Sequence, residues 1–84
     1  MDIRPLTVPG SFVVTPKIHG DDRGEFVEWF RADLLKQATG LEFSVAQANL
    51  SVSAKGTLRG IHFADVPPGQ AKYVMCSSGS IEDF

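Results

Sequence analysis

Gly56-Thr57-Leu58-Arg59-Gly60-Ile61-His62 sets a histidine three residues after an arginine, and Lys72 follows ten residues further on. An imidazole can take up a proton near neutral pH, a guanidinium can hold an anion through a planar fork of N–H groups, and an ammonium can steady a developing oxyanion. Together they suit removal of a proton next to a ketone on a substrate that carries phosphate. Each also has an ordinary reading. A single histidine in a strand is more often structural than catalytic, and Arg23, in a turn, reads first as a solvated charge. Arg59, Lys72, Gln47 and Asn49 weigh the other way, because they stand in otherwise alternating segments where burial without a partner is costly.

Short apolar runs separated by Gly, Pro and Asp must position these groups, which is the spacing of an all-β domain. Phe12-Val13-Val14 predicts a first strand that continues past Pro16 to Ile18, with Pro16 favouring an edge. Gly20-Asp21-Asp22-Arg23-Gly24 has turn chemistry, since glycine permits positive φ and aspartate can bond nearby backbone. A strand over Glu25–Phe30 should follow, with Phe26, Glu28 and Phe30 on one face. Asp33–Thr39 predicts one short helix, with Asp33 as a possible cap, Gly40 as the stop, and Leu34, Leu35 and Ala38 against the sheet.

From Val45 to Ala54 the alternation is regular. Gln47, Asn49, Ser51 and Ser53 share one face, and Ala48, Leu50, Val52 and Ala54 the other, which predicts a strand. Its polar face either meets solvent or lines a pocket. Lys55-Gly56 turns the chain into a strand over Thr57–Phe63, where a regular pleat would send Arg59 and His62 to opposite faces. A bulge at Gly60 would bring them to one side. Gln70–Cys76 reads as a further strand carrying Lys72, and Ile81–Phe84 as the opening of another. The 84 residues are expected to form a single partial domain.

Composition narrows the function. Eight Lys plus Arg against ten Asp plus Glu give a net charge of −2, with no basic run to hold a nucleic-acid backbone. A chain of this length buries roughly 60% of its unfolded surface, so a partner chain or more sequence is expected. The single cysteine, Cys76, excludes an intrachain disulfide and fits a cytoplasmic setting. No apolar stretch approaches the roughly 20 residues that cross a bilayer, and the first residues lack the order of a secretion signal. The chain is therefore expected to be soluble, with no membrane partner.

Other chemistries fit poorly. The run from Gly56 to His62 resembles the metal signature of cupins, yet Ala64 stands where a second histidine is needed, Asp65 is too close for the acidic ligand, and His19 lies far off in a turn. No catalytic metal and no cofactor are expected. Cys76 has no neighbouring histidine, and the serines lack a nucleophile elbow. Gly24, Gly60 and Gly79 do not make a phosphate loop.

Four segments in order, Asp22-Arg23-Gly24-Glu25-Phe26-Val27-Glu28, Gln47-Ala48-Asn49-Leu50-Ser51, Gly56-Thr57-Leu58-Arg59-Gly60-Ile61-His62 and Gln70-Ala71-Lys72-Tyr73-Val74, closely resemble the dTDP-4-dehydrorhamnose 3,5-epimerase family of the cupin superfamily. The resemblance spans nearly the whole chain and matches the N-terminal half of the family's domain. It implies an isomerase with a cupin-type jelly roll, acting as a homodimer without a metal. Its substrate would be a dTDP-linked 4-keto-6-deoxyhexose, inverted at carbons 3 and 5. By the same resemblance His62 matches the base, Lys72 the stabiliser of the C4 enolate and Arg59 the diphosphate clamp. Gln47 and Asn49 match substrate contacts, and Arg23, Phe26 and Glu28 match nucleotide contacts reaching in from the neighbouring subunit.

The main departure from the family pattern is the acid; the carboxylate that orients the family's base is also absent from these residues, and Ile61 and Ala64 are smaller departures. The family's proton-donating tyrosine lies well beyond the histidine, and the only tyrosine here is Tyr73, next to Lys72 and facing the other way on a regular strand. The 84 residues alone are therefore expected to be inactive. Two alternatives remain open: an epimerase that inverts one carbon in an antibiotic deoxysugar pathway, or a non-catalytic fragment that binds the sugar nucleotide.

Overall fold

Turn chemistry and one proline account for most of the regular structure in the computed structural model, which describes residues Met1–Phe84. Strand β1, Asp2–Pro5, pairs antiparallel with β2, Phe12–Thr15, in the register Asp2↔Thr15 to Pro5↔Phe12. The loop between them closes on itself, with the Leu6 amide donating to the Ser11 carbonyl at 2.9 Å and the Ser11 hydroxyl donating to the Val8 carbonyl at 2.6 Å.

The run expected to be continuous from Phe12 to Ile18 breaks at Pro16-Lys17. Proline has no N–H to give a ladder, so the chain changes partner there. Strand β3, Ile18–Asp21, instead pairs antiparallel with β4, Gly24–Val27. The turn between them forms where the Asp-Asp-Arg-Gly cluster predicts it. Asp21 and Gly24 occupy the outer turn positions, and the Asp21 carboxylate accepts the Arg23 amide at 2.9 Å, which is an Asx turn. Strand β4 ends at Val27, three residues short of the expected Phe30, leaving Glu28 outside it.

Helix α1 spans Ala32–Thr39. Gly40 ends it in the left-handed region at φ 76°, and its amide donates to the Lys36 carbonyl at 2.8 Å. The N-cap is Arg31 rather than Asp33, and no side chain caps it. Asp33 lies inside the first turn, where its charge favours the helix dipole. Leu35 is the one buried side chain, at 5% exposure, and Leu34 is half-buried. Ala38 is exposed, so the expected three-residue apolar stripe is narrower than its sequence suggests. Either side of the helix, Phe30 and Phe43 are half-buried and meet edge-to-face at 5.9 Å between centroids.

The chain divides into two compact units, Met1–Asn49 and Leu50–Phe84. The second holds no strand or helix. The strands expected over Val45–Ala54, Thr57–Phe63, Gln70–Cys76 and Ile81–Phe84 are thus absent, and so is the ladder in which a bulge at Gly60 could sit. Alternation states a preference for extended backbone, but a strand needs a neighbour to take its hydrogen bonds. The turn at Lys55-Gly56 contributes. The Thr57 amide donates to the Ala54 carbonyl at 3.2 Å, with Gly56 at φ 82° and no positive φ at Lys55. That sign pattern belongs to a type II turn, which splays the flanking segments instead of matching their twist.

Burial is correspondingly low. The accessible surface is 8104 Å², whereas a folded chain of this length would leave about 4,900 Å². Apolar side chains left exposed in the second unit include Leu50, Val52, Leu58, Ile61 and Phe63. The strands and single short helix agree with the coarse all-β expectation.

Candidate functional site

The tip of the β3–β4 hairpin carries the first candidate residues. His19, Asp21, Arg23, Gly24, Glu25 and Phe26 line a shallow groove, so Arg23 and Phe26 share one surface. Phe26 is a large aromatic side chain left exposed, which a planar ring of a ligand could stack against. Arg23 extends into solvent and donates through Nε and Nη2 to one oxygen of Asp21, at 3.3 and 2.7 Å, while the other oxygen holds the Arg23 backbone amide. The side-chain hydrogen bond from Arg23, followed by its backbone one, holds the Asp21 carboxyl below the usual range. An incoming anion must therefore compete with Asp21 for this guanidinium. His19, read from sequence as a distant turn residue, stands in β3 directly opposite Phe26. The hairpin register was the signal that could have found it.

Glu28 lies outside this groove. Its carboxylate is 3.6 Å from Arg31 Nη1, and Arg31 also donates through Nε and Nη2 to Asp33 at 2.9 and 3.2 Å. The Asp33 hydrogen bond, then the charges of Asp33 and Glu28, raise the affinity of Arg31 for its proton. The same guanidinium holds Asp33 low. Gln47 and Asn49 are exposed near the end of the first unit, in unpaired backbone.

In the second unit Arg59, His62 and Lys72 are all exposed, and none of the three bonds or ion-pairs with another of them. Arg59 has one partner, donating from Nε to the Ser53 hydroxyl at 2.9 Å. The sequence reading placed Ser53 on the polar face of its segment but gave it no role. Tyr73 is half-buried, and burial pushes its phenol above the ordinary range. Cys76 donates to the Ser78 carbonyl at 3.2 Å within its own turn. No three His, Cys, Asp or Glu side chains gather closely enough to hold a metal ion, and no helix is long and apolar enough to cross a membrane.

An arginine and an aromatic ring lie near one hairpin tip, with a histidine, a second arginine and a lysine elsewhere in the chain; such side chains can bond anions and stack on planar rings. Comparison with known proteins narrows the class to dTDP-sugar epimerases. A dTDP-4-dehydrorhamnose 3-epimerase of Streptomyces niveus is 51% identical over 83 residues, covering 99% of this chain and 40% of that protein. A dTDP-4-dehydrorhamnose 3,5-epimerase of Mycobacterium tuberculosis is likewise 51% identical over 83 residues, covering 99% of this chain and 41% of its own length. A solved structure of the rmlC epimerase of Mycobacterium tuberculosis matches with a TM-score of 0.76 and 47% identity, over 81% of this chain and 34% of that one.

The profile of the family described as dTDP-4-dehydrorhamnose 3,5-epimerase matches residues 5–84, and the chain belongs to that family. It spans about 40% of the length of the curated relatives it matches and corresponds to their N-terminal part.

Proposed function

We propose that this chain supplies the base, the enolate stabiliser and the diphosphate clamp of an enzyme that epimerises a dTDP-linked 4-keto-6-deoxyhexose next to its ketone. The observation that carries this is the family match over residues 5–84, which includes every one of the sequence-predicted site residues. His62 takes the proton from the carbon beside the C4 ketone, a role that contributes roughly 10²- to 10⁴-fold to such reactions. Lys72 meets the negative charge that develops on the C4 oxygen, and Arg59 holds the diphosphate. Reprotonation on the opposite ring face inverts the carbon. Gln47 and Asn49 hold the sugar, while Arg23, Phe26 and Glu28 hold the nucleotide of a neighbouring subunit in a homodimer. The reaction needs no metal and takes place in the cytoplasm.

The separate residues 59, 62 and 72 reach one cavity only when the unpaired segments of the second unit gain partners. The exposed Leu50, Val52, Leu58, Ile61 and Phe63 support this, because apolar surface of that extent is stabilised by being covered. The greater length of the relatives supports a cupin-type jelly roll as the completed form, with residues 1–84 as part of one domain. On this reading the 84 residues alone do not turn over substrate.

A second reading is inversion of one carbon only, which is the activity named for one relative at 51% identity. Relatives at equal identity are named both 3-epimerase and 3,5-epimerase, so residues 1–84 do not separate the two. Incubating dTDP-4-keto-6-deoxyglucose with the full-length protein and assigning the products by proton NMR tests both. Inversion at carbons 3 and 5 supports the first reading, inversion at one carbon the second, and unchanged substrate refutes both.

A further inference from the structure

We infer that Ser53 is a positioning residue for Arg59, fixing which edge of the guanidinium meets the substrate's phosphates. This rests on the reading of Arg59 as the diphosphate clamp. The guanidinium is planar and presents two donor edges that a diphosphate could use: one made by Nε with a neighbouring Nη, and one made by the two Nη groups. Ser53 Oγ accepts the Nε hydrogen at 2.9 Å, so the first edge is occupied and the Nη1–Nη2 edge is left to grip phosphate oxygens in parallel.

Three features make the contact part of the fold's local design. The turn closed by Thr57 N–H to Ala54 C=O lies between the two residues, and the Nε–Oγ bond spans six positions across it. Gly56, at φ 82°, holds a conformation that side-chain-bearing residues rarely adopt. By sequence alternation Ser53 also falls in the same polar set as Gln47 and Asn49, the proposed substrate contacts. A long arginine side chain loses rotamer freedom when it binds an anion, and a hydrogen bond formed beforehand reduces that loss.

The test is calorimetric titration of the full-length protein with dTDP and, separately, with thymidine, which lacks the phosphates. Ser53→Ala is expected to weaken dTDP about five-fold, the scale of one modest hydrogen bond, and to leave thymidine unchanged. Ser53→Thr keeps the hydroxyl and is expected to retain parental dTDP affinity, which a variant that merely misfolds would not do. In the Arg59→Ala background, Ser53→Ala is expected to add nothing further, because its effect passes through Arg59. Parental dTDP affinity in Ser53→Ala, or an equal loss in both backgrounds, overturns the inference while leaving the clamp intact. Parental affinity in Arg59→Ala overturns the clamp itself, and with it the inference. Absence of dTDP binding by the parent does the same.

Discussion

Replacing Gly40 with alanine should loosen helix α1 by an amount that the backbone alone determines. Gly40 sits at φ 76°, and a Cβ built on it meets no atom within 4 Å, so the substitution carries no clash. What remains is the left-handed penalty for an L-residue, about 1–2 kcal/mol. Against it stands a gain of about 0.4–1 kcal/mol, because alanine restricts the unfolded chain more than glycine does. The net cost is about 1 kcal/mol, or roughly a five-fold shift toward the frayed state. That matters here because eight residues are too few to hold a helix by propensity. Hydrogen exchange at the Thr39 and Gly40 amides, read by NMR, should quicken about five-fold in Gly40→Ala, and much less in Gly40→Asn, since asparagine tolerates this conformation. Unchanged exchange in Gly40→Ala would refute the view that the left-handed cap, with its bond to the Lys36 carbonyl, holds the helix end.

Two further outcomes follow from particular contacts. Leu35→Ala removes the one buried side chain and should cost about 2 kcal/mol, the low end for core leucines because its half-buried surroundings can collapse; the helical signal at 222 nm should then fall at a lower temperature, and an unchanged midpoint would contradict the burial. The Asp21 carboxyl titrates below its ordinary value because Arg23 bonds to it. Its stabilising contribution is therefore present above the unfolded value of about 3.9 and lost as pH falls through the lower folded value. A carboxyl-carbon NMR titration should show the midpoint moving back up in Arg23→Gln, and a midpoint that stays put would mean that the two side chains do not pair.

What could be read in advance was whatever depends on neighbours in sequence. The Asp21–Gly24 turn and the Gly40 stop formed where expected, because Asx hydrogen bonding and glycine's access to positive φ act within a few residues. Strand β1 escaped notice because four residues, Asp2–Pro5, are too few for alternation to register, and its state comes from pairing with Phe12–Thr15 across the loop. Pro16 was read as an edge residue but acts as a break. The most regular alternation in the chain, Val45–Ala54, made no strand at all, since side-chain period says which face is apolar and nothing about who accepts the backbone hydrogen bonds. The same limit governed the site. Arg23 and Phe26 are brought together by a local hairpin, whereas Arg59, His62 and Lys72 lie in segments without strand partners, where alternation cannot say which residues meet.

Solvent deuterium exchange bears most directly on the proposed chemistry, since it sees proton removal even where inversion is incomplete. In D₂O, the full-length protein should wash deuterium into the sugar ring of dTDP-4-keto-6-deoxyglucose beside the ketone, as followed by mass spectrometry. His62→Asn should slow that exchange at least 10²-fold, and Lys72→Met should slow it comparably by removing the charge that steadies the C4 oxygen. Exchange at the parental rate in His62→Asn would contradict the assignment of His62 as the base.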